Sequence, residues 1–181
     1  KEIFRDFKKA GYETQLFLFN AAKMGVPQAR ERTFFIARRC DLNLKPFKPV
    51  FNEQPISVAE ACKTIQPNTE EKLISDKLKE LWYKVKPGKS FSTVHPKGHC
   101  FNMSTVNPRL PSRTVTATQG LVYWKKPRYL NSYEIKRIQT FPEDFNFLNT
   151  DPCYVMGMSV PPFMTQRVAL EIYKHWFQKD N

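Results

Sequence analysis

The chain has 181 residues, and 29 Lys or Arg against 17 Asp or Glu give it a formal charge of +12. Hydrophobic residues make up 41% of the chain, which is enough for a packed core and excludes disorder throughout. Only 6 glycines occur, and the two closest, Gly88 and Gly98, lie ten residues apart. The chain therefore has no glycine-rich loop of the kind that binds the phosphates of a nucleotide.

The composition also argues against a membrane and a metal. No apolar run approaches about eighteen residues, and charges begin at the first residue, so we expect neither a membrane span nor a signal peptide. We expect a cytoplasmic protein whose four widely spaced cysteines are reduced thiols. His95, His99 and Cys100 are close in sequence, but no fourth ligand is evident, so no metal site is predicted.

The first forty residues predict one helix and two strands. Residues 3–10 have helical spacing of apolar side chains and stop at Gly11. Residues 15–19 and 33–37 are apolar at both odd and even positions, as in strands that are covered on both faces. Because two strands cannot cover themselves, we expect them to be the end of a larger α/β sheet whose other strands lie outside this chain.

From residue 41 prolines become frequent and strand-like apolar runs disappear, which predicts a domain boundary. Helices are predicted over residues 57–65 and about 70–85, with Thr69 as the N-cap of the second. Short strands and turns follow from residue 89. Helices over residues 132–140 and 161–177 close the chain, and the wide apolar face of the last one predicts burial on most sides.

Polar side chains alternate in the loop before the second strand. If residues 28–32 are extended, Gln28, Arg30 and Arg32 lie on one side, where an amide and two guanidinium groups would converge on a phosphate or a nucleobase. An equally compatible interpretation is a solvated edge on which Glu31 pairs with one of the arginines.

Three segments, taken in chain order, resemble motifs of the DNA cytosine-5 methyltransferases. Residues 20–32 (NAAKMGVPQARER), which precede an apolar strand, resemble motif VIII. Residues 128–145 (RYLNSYEIKRIQTFPEDF) are similar to motif IX, and residues 154–162 (YVMGMSVPP) are similar to motif X. The family keeps its target recognition domain between motifs VIII and IX, which agrees with the boundary predicted at residue 41.

The resemblance implies an α/β fold, made of the C-terminal elements of a Rossmann-like methyltransferase domain and a small mixed α+β target recognition domain. Residues 1–40 would form the last catalytic strands, with motif VIII. Residues 41–150 would form the recognition domain, including motif IX. Residues 151–181 would carry motif X and the final helix back to the catalytic domain.

The resemblance also implies what this chain lacks. The family's glycine-containing cofactor loop, Pro-Cys-Gln nucleophile loop and Glu-Asn-Val segment do not occur, and Cys153 is followed by Tyr154. The chain is therefore identified as the C-terminal part of an enzyme that transfers a methyl group from S-adenosylmethionine to C5 of a flipped cytosine in double-stranded DNA. We expect it to need the N-terminal catalytic part of the same protein for activity, and to act in bacterial or phage restriction-modification.

Two other functions are compatible with the sequence. The chain could be a stand-alone, sequence-specific DNA-binding module without catalytic activity, in which case the reading frame would start near Lys1. It could also be a basic RNA-binding protein, although no aromatic platform in a strand context is visible.

The resemblance assigns roles to single residues. Arg32 would donate a hydrogen bond to O2 of the target cytosine, and Arg30, beside Gln28, would hold the adjacent phosphate. In motif X, Met158 stands where the family usually has asparagine, so its backbone would have to make the contact. The predicted cofactor-binding residues are Gly157, Met158 and Ser159.

The basic stretch between about residues 84 and 126 mixes Lys and Arg with hydroxyl and amide side chains, a composition typical of contacts with phosphates and base edges. Solvated surface residues are the alternative for each position. The predicted DNA-binding residues are Arg109, Arg113, Thr114, Thr116 and Gln119.

Overall fold

The structure is a computed structural model and describes residues 2–65, 71–118 and 120–178. The strands are β1 Tyr12–Asn20, β2 Glu31–Arg39, β3 Ser104–Thr105 and β4 Leu121–Val122. The helices are α1 Glu2–Lys9, α2 Val58–Ala61, α3 Asp76–Trp82, α4 Ser132–Ile138, α5 Pro152–Met158 and α6 Pro162–Trp176. None of the helices in the described part of the chain is both long and apolar enough to cross a membrane.

An antiparallel hairpin of β1 and β2 confirms both predicted strands. One face of the hairpin, with Phe17 and Phe34, packs on Met164 and Val168 of α6. On the other face, Leu16, Leu18 and Phe35 are exposed, and only α1 approaches it, through an edge-to-face contact of Phe4 with Phe35. Within the described residues nothing else packs on this outer face, so its expected covering by elements outside this chain stays a prediction.

The loop from β1 to β2 is fixed at both ends of a short 3₁₀ helix, Ala21–Met24. The side chain of Asn20 accepts a hydrogen bond from the backbone N–H of Ala22 at 3.0 Å. Gly25 ends the turn in the left-handed region, at a φ of 76°, which favours glycine. The chain then runs through residues 26–30 to β2, so this turn determines where the side chains of that stretch lie.

The central helices are shorter than predicted. Over residues 57–65 only α2 is helical, with the Ser57 hydroxyl accepting from the N–H of Glu60 at 3.2 Å. Of the helix predicted over about 70–85, only α3 is helical among the described residues 71–85. The backbone before it pairs with another segment, since the N–H of Ile74 donates to the carbonyl of Pro127 at 3.1 Å. The predicted N-cap Thr69 lies outside the described residues.

The short β segments predicted after residue 89 are present as β3 and β4, which pair in parallel. Helix α4 confirms the prediction over residues 132–140 and begins with a capping box of Asn131 and Glu134. Glu134 also forms a buried ion pair with Arg128, with nitrogen-to-oxygen distances of 2.8 and 2.9 Å. A buried charge is tolerated only when it is paired, so this ion pair holds the segment that follows β4 against helix α4.

The C-terminal segment contains two helices rather than one. Helix α5 was not predicted; it starts at Pro152 and is capped by the Asp151 carboxylate, which accepts from the N–H of Cys153 at 2.7 Å. Helix α6 agrees with the prediction over residues 161–177. Burial on most sides is wrong for α6, since Tyr173 is exposed and its buried residues are Met164 and Val168.

Candidate nucleic-acid site where three segments meet

The loop before β2 lies alongside residues 112–115 of the central region. The N–H of Ser112 donates to the carbonyl of Pro27 at 2.9 Å, and the N–H of Ala29 donates to the carbonyl of Ser112 at 2.8 Å. Gln28 and Ser112 form a parallel bridge. Two segments separated by more than eighty residues are thus joined by backbone hydrogen bonds.

Gln28 and Arg30 stabilise this junction from inside the protein. Gln28 is 0% exposed, and its side-chain oxygen accepts from the N–H of Val115 at 2.9 Å. Arg30 is 1% exposed; one Nη donates to the carbonyl of Val115 at 2.7 Å and the other to the carbonyl of Gly157 at 2.9 Å. Arg30 therefore joins the loop before β2, the central region at Val115 and the turn at Gly157 through one guanidinium group.

The electrostatic setting of Arg30 agrees with a structural role. Burial, and then the nearby charge of Arg32, lower the pKa of Arg30 from 12.5 to about 10. The side chain still carries its charge at neutral pH, and two backbone carbonyls satisfy it. The expectation that Gln28, Arg30 and Arg32 converge on one external ligand is thus not met. Residues 26–30 lie before β2 and are not part of the strand, and the side chains of Gln28 and Arg30 are buried.

Arg32 is the member of the trio that remains accessible. It lies at the second position of β2, is half-buried, and donates to the carbonyl of Glu31 at 2.6 Å. Within the described ranges no carboxylate pairs with Arg32, and Glu31 forms no ion pair with either arginine. The interpretation of a solvated edge held by Glu31 is therefore not what the structure shows.

A cleft of about 300 Å³ opens beside this junction. Three of the predicted DNA-binding residues line it: Arg113, Thr114 and Thr116. The Thr114 hydroxyl donates to the carbonyl of Ala29 at 3.2 Å, which ties the cleft wall to motif VIII. Arg109 is exposed but does not line the cleft, and Gln119 lies outside the described residues.

Sequence reasoning missed several residues of the cleft wall. They are Ala29, Phe101, Asn102, Ser104, Gly120 and Leu121. They come from the motif VIII loop, from the segment that enters β3 and from β4, and only the tertiary structure brings those segments together. The sequence signal that could have identified one of them is an aromatic residue, Phe101, inside a basic stretch. The structure shows that Phe101 is exposed.

The motif X residues differ in what they offer a cofactor. The Gly157 carbonyl is occupied by Arg30, and the Ser159 hydroxyl donates to the carbonyl of Val155 at 2.7 Å. Met158 is 64% exposed and lies between them. The side-chain amide of Gln139 donates to the carbonyl of Met156, so the motif IX helix α4 holds the same turn. Met158 and Ser159 remain accessible to a ligand, whereas Gly157 is buried, with its carbonyl bonded to Arg30 and its Cα close to the backbone of Thr116.

Replacement of Gly157 by alanine is expected to destabilise the protein. A Cβ atom at this position would overlap the Thr116 carbonyl carbon and the Ala117 nitrogen, so the backbone would have to shift. Overpacking of this kind costs about 1–3 kcal/mol and sometimes more. Urea unfolding of the full-length protein measures the loss. The control without a close contact is Gly98→Ala: no atom lies within 4 Å of a Cβ there, and its φ of +66° adds a backbone strain that Gly157 lacks, so the loss at Gly157 has to exceed it. A loss at Gly157 no larger than at Gly98 would contradict the close approach.

No three His, Cys, Asp or Glu side chains within the described ranges are grouped as metal ligands would be. His95 and His99 stack with ring centroids 5.0 Å apart. The Nδ1 atom of His95 accepts from the N–H groups of Lys97 and His99, at 3.1 and 3.3 Å. The Nδ1 atom of His95 is therefore occupied by hydrogen bonds within its own loop.

Known proteins resemble this chain over nearly its whole length. The sequence model of the family described as C-5 cytosine-specific DNA methylase matches residues 1–174. The type II methyltransferase M.NgoFVII of Neisseria gonorrhoeae is 30% identical over 188 residues, which cover 90% of this chain and 50% of that protein. M.FnuDI of Fusobacterium nucleatum is 35% identical over 218 residues, covering 95% and 58%. The chain spans about half the length of the curated relatives it matches.

Solved structures share the fold. A DNA modification methyltransferase encoded within an E. coli prophage superposes with a TM-score of 0.73 at 18% identity, covering 96% of this chain and 64% of that one. The Dnmt2 methyltransferase of S. pombe gives 0.66 at 13% identity, covering 96% and 61%. Both likenesses show a mixed α/β methyltransferase fold. Because the family model matches almost every residue, the chain belongs to the C-5 cytosine-specific DNA methylase family.

Proposed function

We propose that this chain is the C-terminal part of a DNA cytosine-5 methyltransferase of the restriction-modification type. The observation that carries the proposal is the convergence of the motif VIII loop, the recognition segment and the motif X turn on Arg30, next to a cleft with basic and hydroxyl side chains. The relatives named as type II methyltransferases, which are about twice as long, support the same view. The full enzyme transfers a methyl group from S-adenosylmethionine to cytosine in duplex DNA.

The N-terminal catalytic part of the same protein covers the outer face of the hairpin. Leu16, Leu18 and Phe35 are exposed there, and Leu16 faces Phe35 across the strand register. Apolar side chains grouped on one face of a sheet are stabilised by burial against another element. The missing strands of the sheet, with the cofactor loop and the cysteine nucleophile, come from that part.

Duplex DNA binds along the cleft, with Arg113, Thr114 and Thr116 toward the DNA. Guanidinium groups suit phosphates and guanine edges. The Thr114 and Thr116 hydroxyls donate to the carbonyls of Ala29 and Thr118, so toward DNA they accept from base N–H groups. Arg32, three residues along the chain from Ala29 in the cleft wall, donates to O2 of the extruded cytosine. When the cysteine adds to C6, negative charge spreads to O2 and N3, and a fixed guanidinium there stabilises it.

S-adenosylmethionine supplies the methyl group and is held mainly by the N-terminal part. From this chain, Met158 and Ser159 contribute to its site, because of the three predicted cofactor-binding residues only Gly157 is buried. Gly157 has a different task. It lets the motif X turn approach the recognition segment at Thr116, and its carbonyl fixes Arg30.

Methyl transfer by the full-length protein tests this proposal. The protein is incubated with duplex DNA and labelled S-adenosylmethionine, and the modified base is mapped by sequencing. We expect 5-methylcytosine at one fixed position of a short recurring sequence. Sequence-specific binding of duplex DNA without methyl transfer would favour the alternative, a DNA-binding module without catalytic activity. Methylation of another base, or preference for RNA, would overturn the proposal.

A further inference from the structure

Phe101 lies on the wall of the cleft with its ring uncovered. It is 67% exposed, although the same cleft is lined by Arg113 and by the hydroxyl residues Thr114 and Thr116. Exposed aromatic surface gains free energy when it is removed from water. A ring at the edge of a basic cleft is therefore placed to contact an apolar surface of whatever polyanion binds there.

The loop that carries Phe101 is held rigidly. The Ser90 hydroxyl lies 3.0 Å from the carbonyl oxygen of Phe101 and 3.3 Å from that of Cys100. The N–H of Phe91 donates to the carbonyl of Met103 at 3.0 Å, so the loop is anchored at its far end as well. A ring presented by a fixed loop loses little conformational entropy on binding, which favours its use as a contact.

The same loop is packed tightly against β4. A Cβ atom on Gly120 would lie 2.5 Å from the carbonyl oxygen of Asn102, so only glycine permits this approach. The N–H of Ser104 donates to the Gly120 carbonyl at 2.9 Å. The backbone of the loop that carries Phe101 is thus in close contact with the residue before β4, and Gly120 and Leu121 line the same cleft.

We propose that Phe101 is a DNA-contacting residue whose ring stacks on a nucleobase of the bound duplex, an inference that rests on the proposed function. Nucleobases are the apolar surfaces of DNA, and aromatic side chains stack on them with little preference for sequence. Extrusion of a cytosine uncovers the faces of the neighbouring bases, which gives the ring a partner inside an otherwise stacked duplex. Phe101 therefore contributes affinity, and Arg113 contributes phosphate attraction.

Equilibrium binding of the full-length enzyme to a labelled duplex that carries the mapped cytosine tests this inference. Phe101→Ala is expected to weaken binding by about 10-fold or more, and Phe101→Tyr is expected to restore it, because both rings stack. The slope of log affinity against log salt should stay unchanged in Phe101→Ala, since the ring carries no charge. In Arg113→Ala the slope should fall by about one.

Tyr83→Ala is the matched control, because Tyr83 is 70% exposed and does not line the cleft. It should bind DNA as the wild type does, and thermal unfolding should show all variants folded. Binding by Phe101→Ala within twofold of wild type, failure of the tyrosine to restore it, or an equal loss in Tyr83→Ala would each overturn the inference. Absence of duplex binding by the wild type would instead overturn the proposed function.

Discussion

Replacing Arg32 with alanine in the full-length enzyme is expected to lower the methyl-transfer rate by about two orders of magnitude or more. Arg32 is the one arginine of the motif VIII trio that does not bind the protein's own buried carbonyls, and in the described residues no carboxylate neutralises it. Its guanidinium is therefore available to charge that develops on the cytosine. Such charge stabilisation acts mainly in the transition state, so kcat should fall more than DNA affinity.

The measurement is single-turnover methyl transfer on duplex DNA, with DNA affinity determined separately. Arg39→Ala is the control, because Arg39 is an exposed arginine of the same strand but pairs with Asp41, at 2.6 Å. Surface pairs of this kind contribute little, so the control should keep its activity. A rate for Arg32→Ala near that of the wild type would show that Arg32 does not face the reacting base.

The sequence predicted the elements whose signal is local. Strands β1 and β2 carry apolar runs bounded by turn residues, and α4 begins with a capping box, so each is determined by its own residues. Helix α5 was missed because Gly157 and two nearby prolines do not indicate a helix. Its stability comes from the Asp151 cap and from packing on residues 116–117. Helix α3 was overpredicted because pairing of Ile74 with Pro127 competes with helix formation.

The candidate site was predicted only in part, because local sequence patterns do not contain tertiary contacts. Period-2 spacing identified Gln28, Arg30 and Arg32 as a group, but spacing cannot tell a side chain that faces a ligand from one that faces the interior. The partners of Arg30 are 85 and 127 residues away in the chain, so its burial depends on tertiary contacts that no local pattern contains. The contribution of residues 101–104 to the cleft was missed for the same reason.

Replacing Arg30 with methionine is expected to lower the free energy of unfolding by about 2–5 kcal/mol. Methionine fills a similar elongated volume but donates no hydrogen bond, so the carbonyls of Val115 and Gly157 would be left buried without a partner. Each unsatisfied buried group of this kind costs about 1–3 kcal/mol. The cost of burying the guanidinium, seen in a pKa lowered to about 10, is removed in the variant and offsets part of the loss.

Chemical unfolding of the full-length protein gives the free energy, and Arg113→Met is the control, since Arg113 is exposed. A surface substitution changes the free energy of unfolding by about 0.5 kcal/mol or less. The loss in Arg30→Met should therefore be several-fold larger than the loss in Arg113→Met, although the two arginines lie on segments that pair with each other. Arg30→Lys should fall between them, because an ammonium group is a point donor and does not reproduce the fixed fork that reaches two carbonyls. Equal stability of Arg30→Met and Arg113→Met would mean that Arg30 does not hold the three segments together.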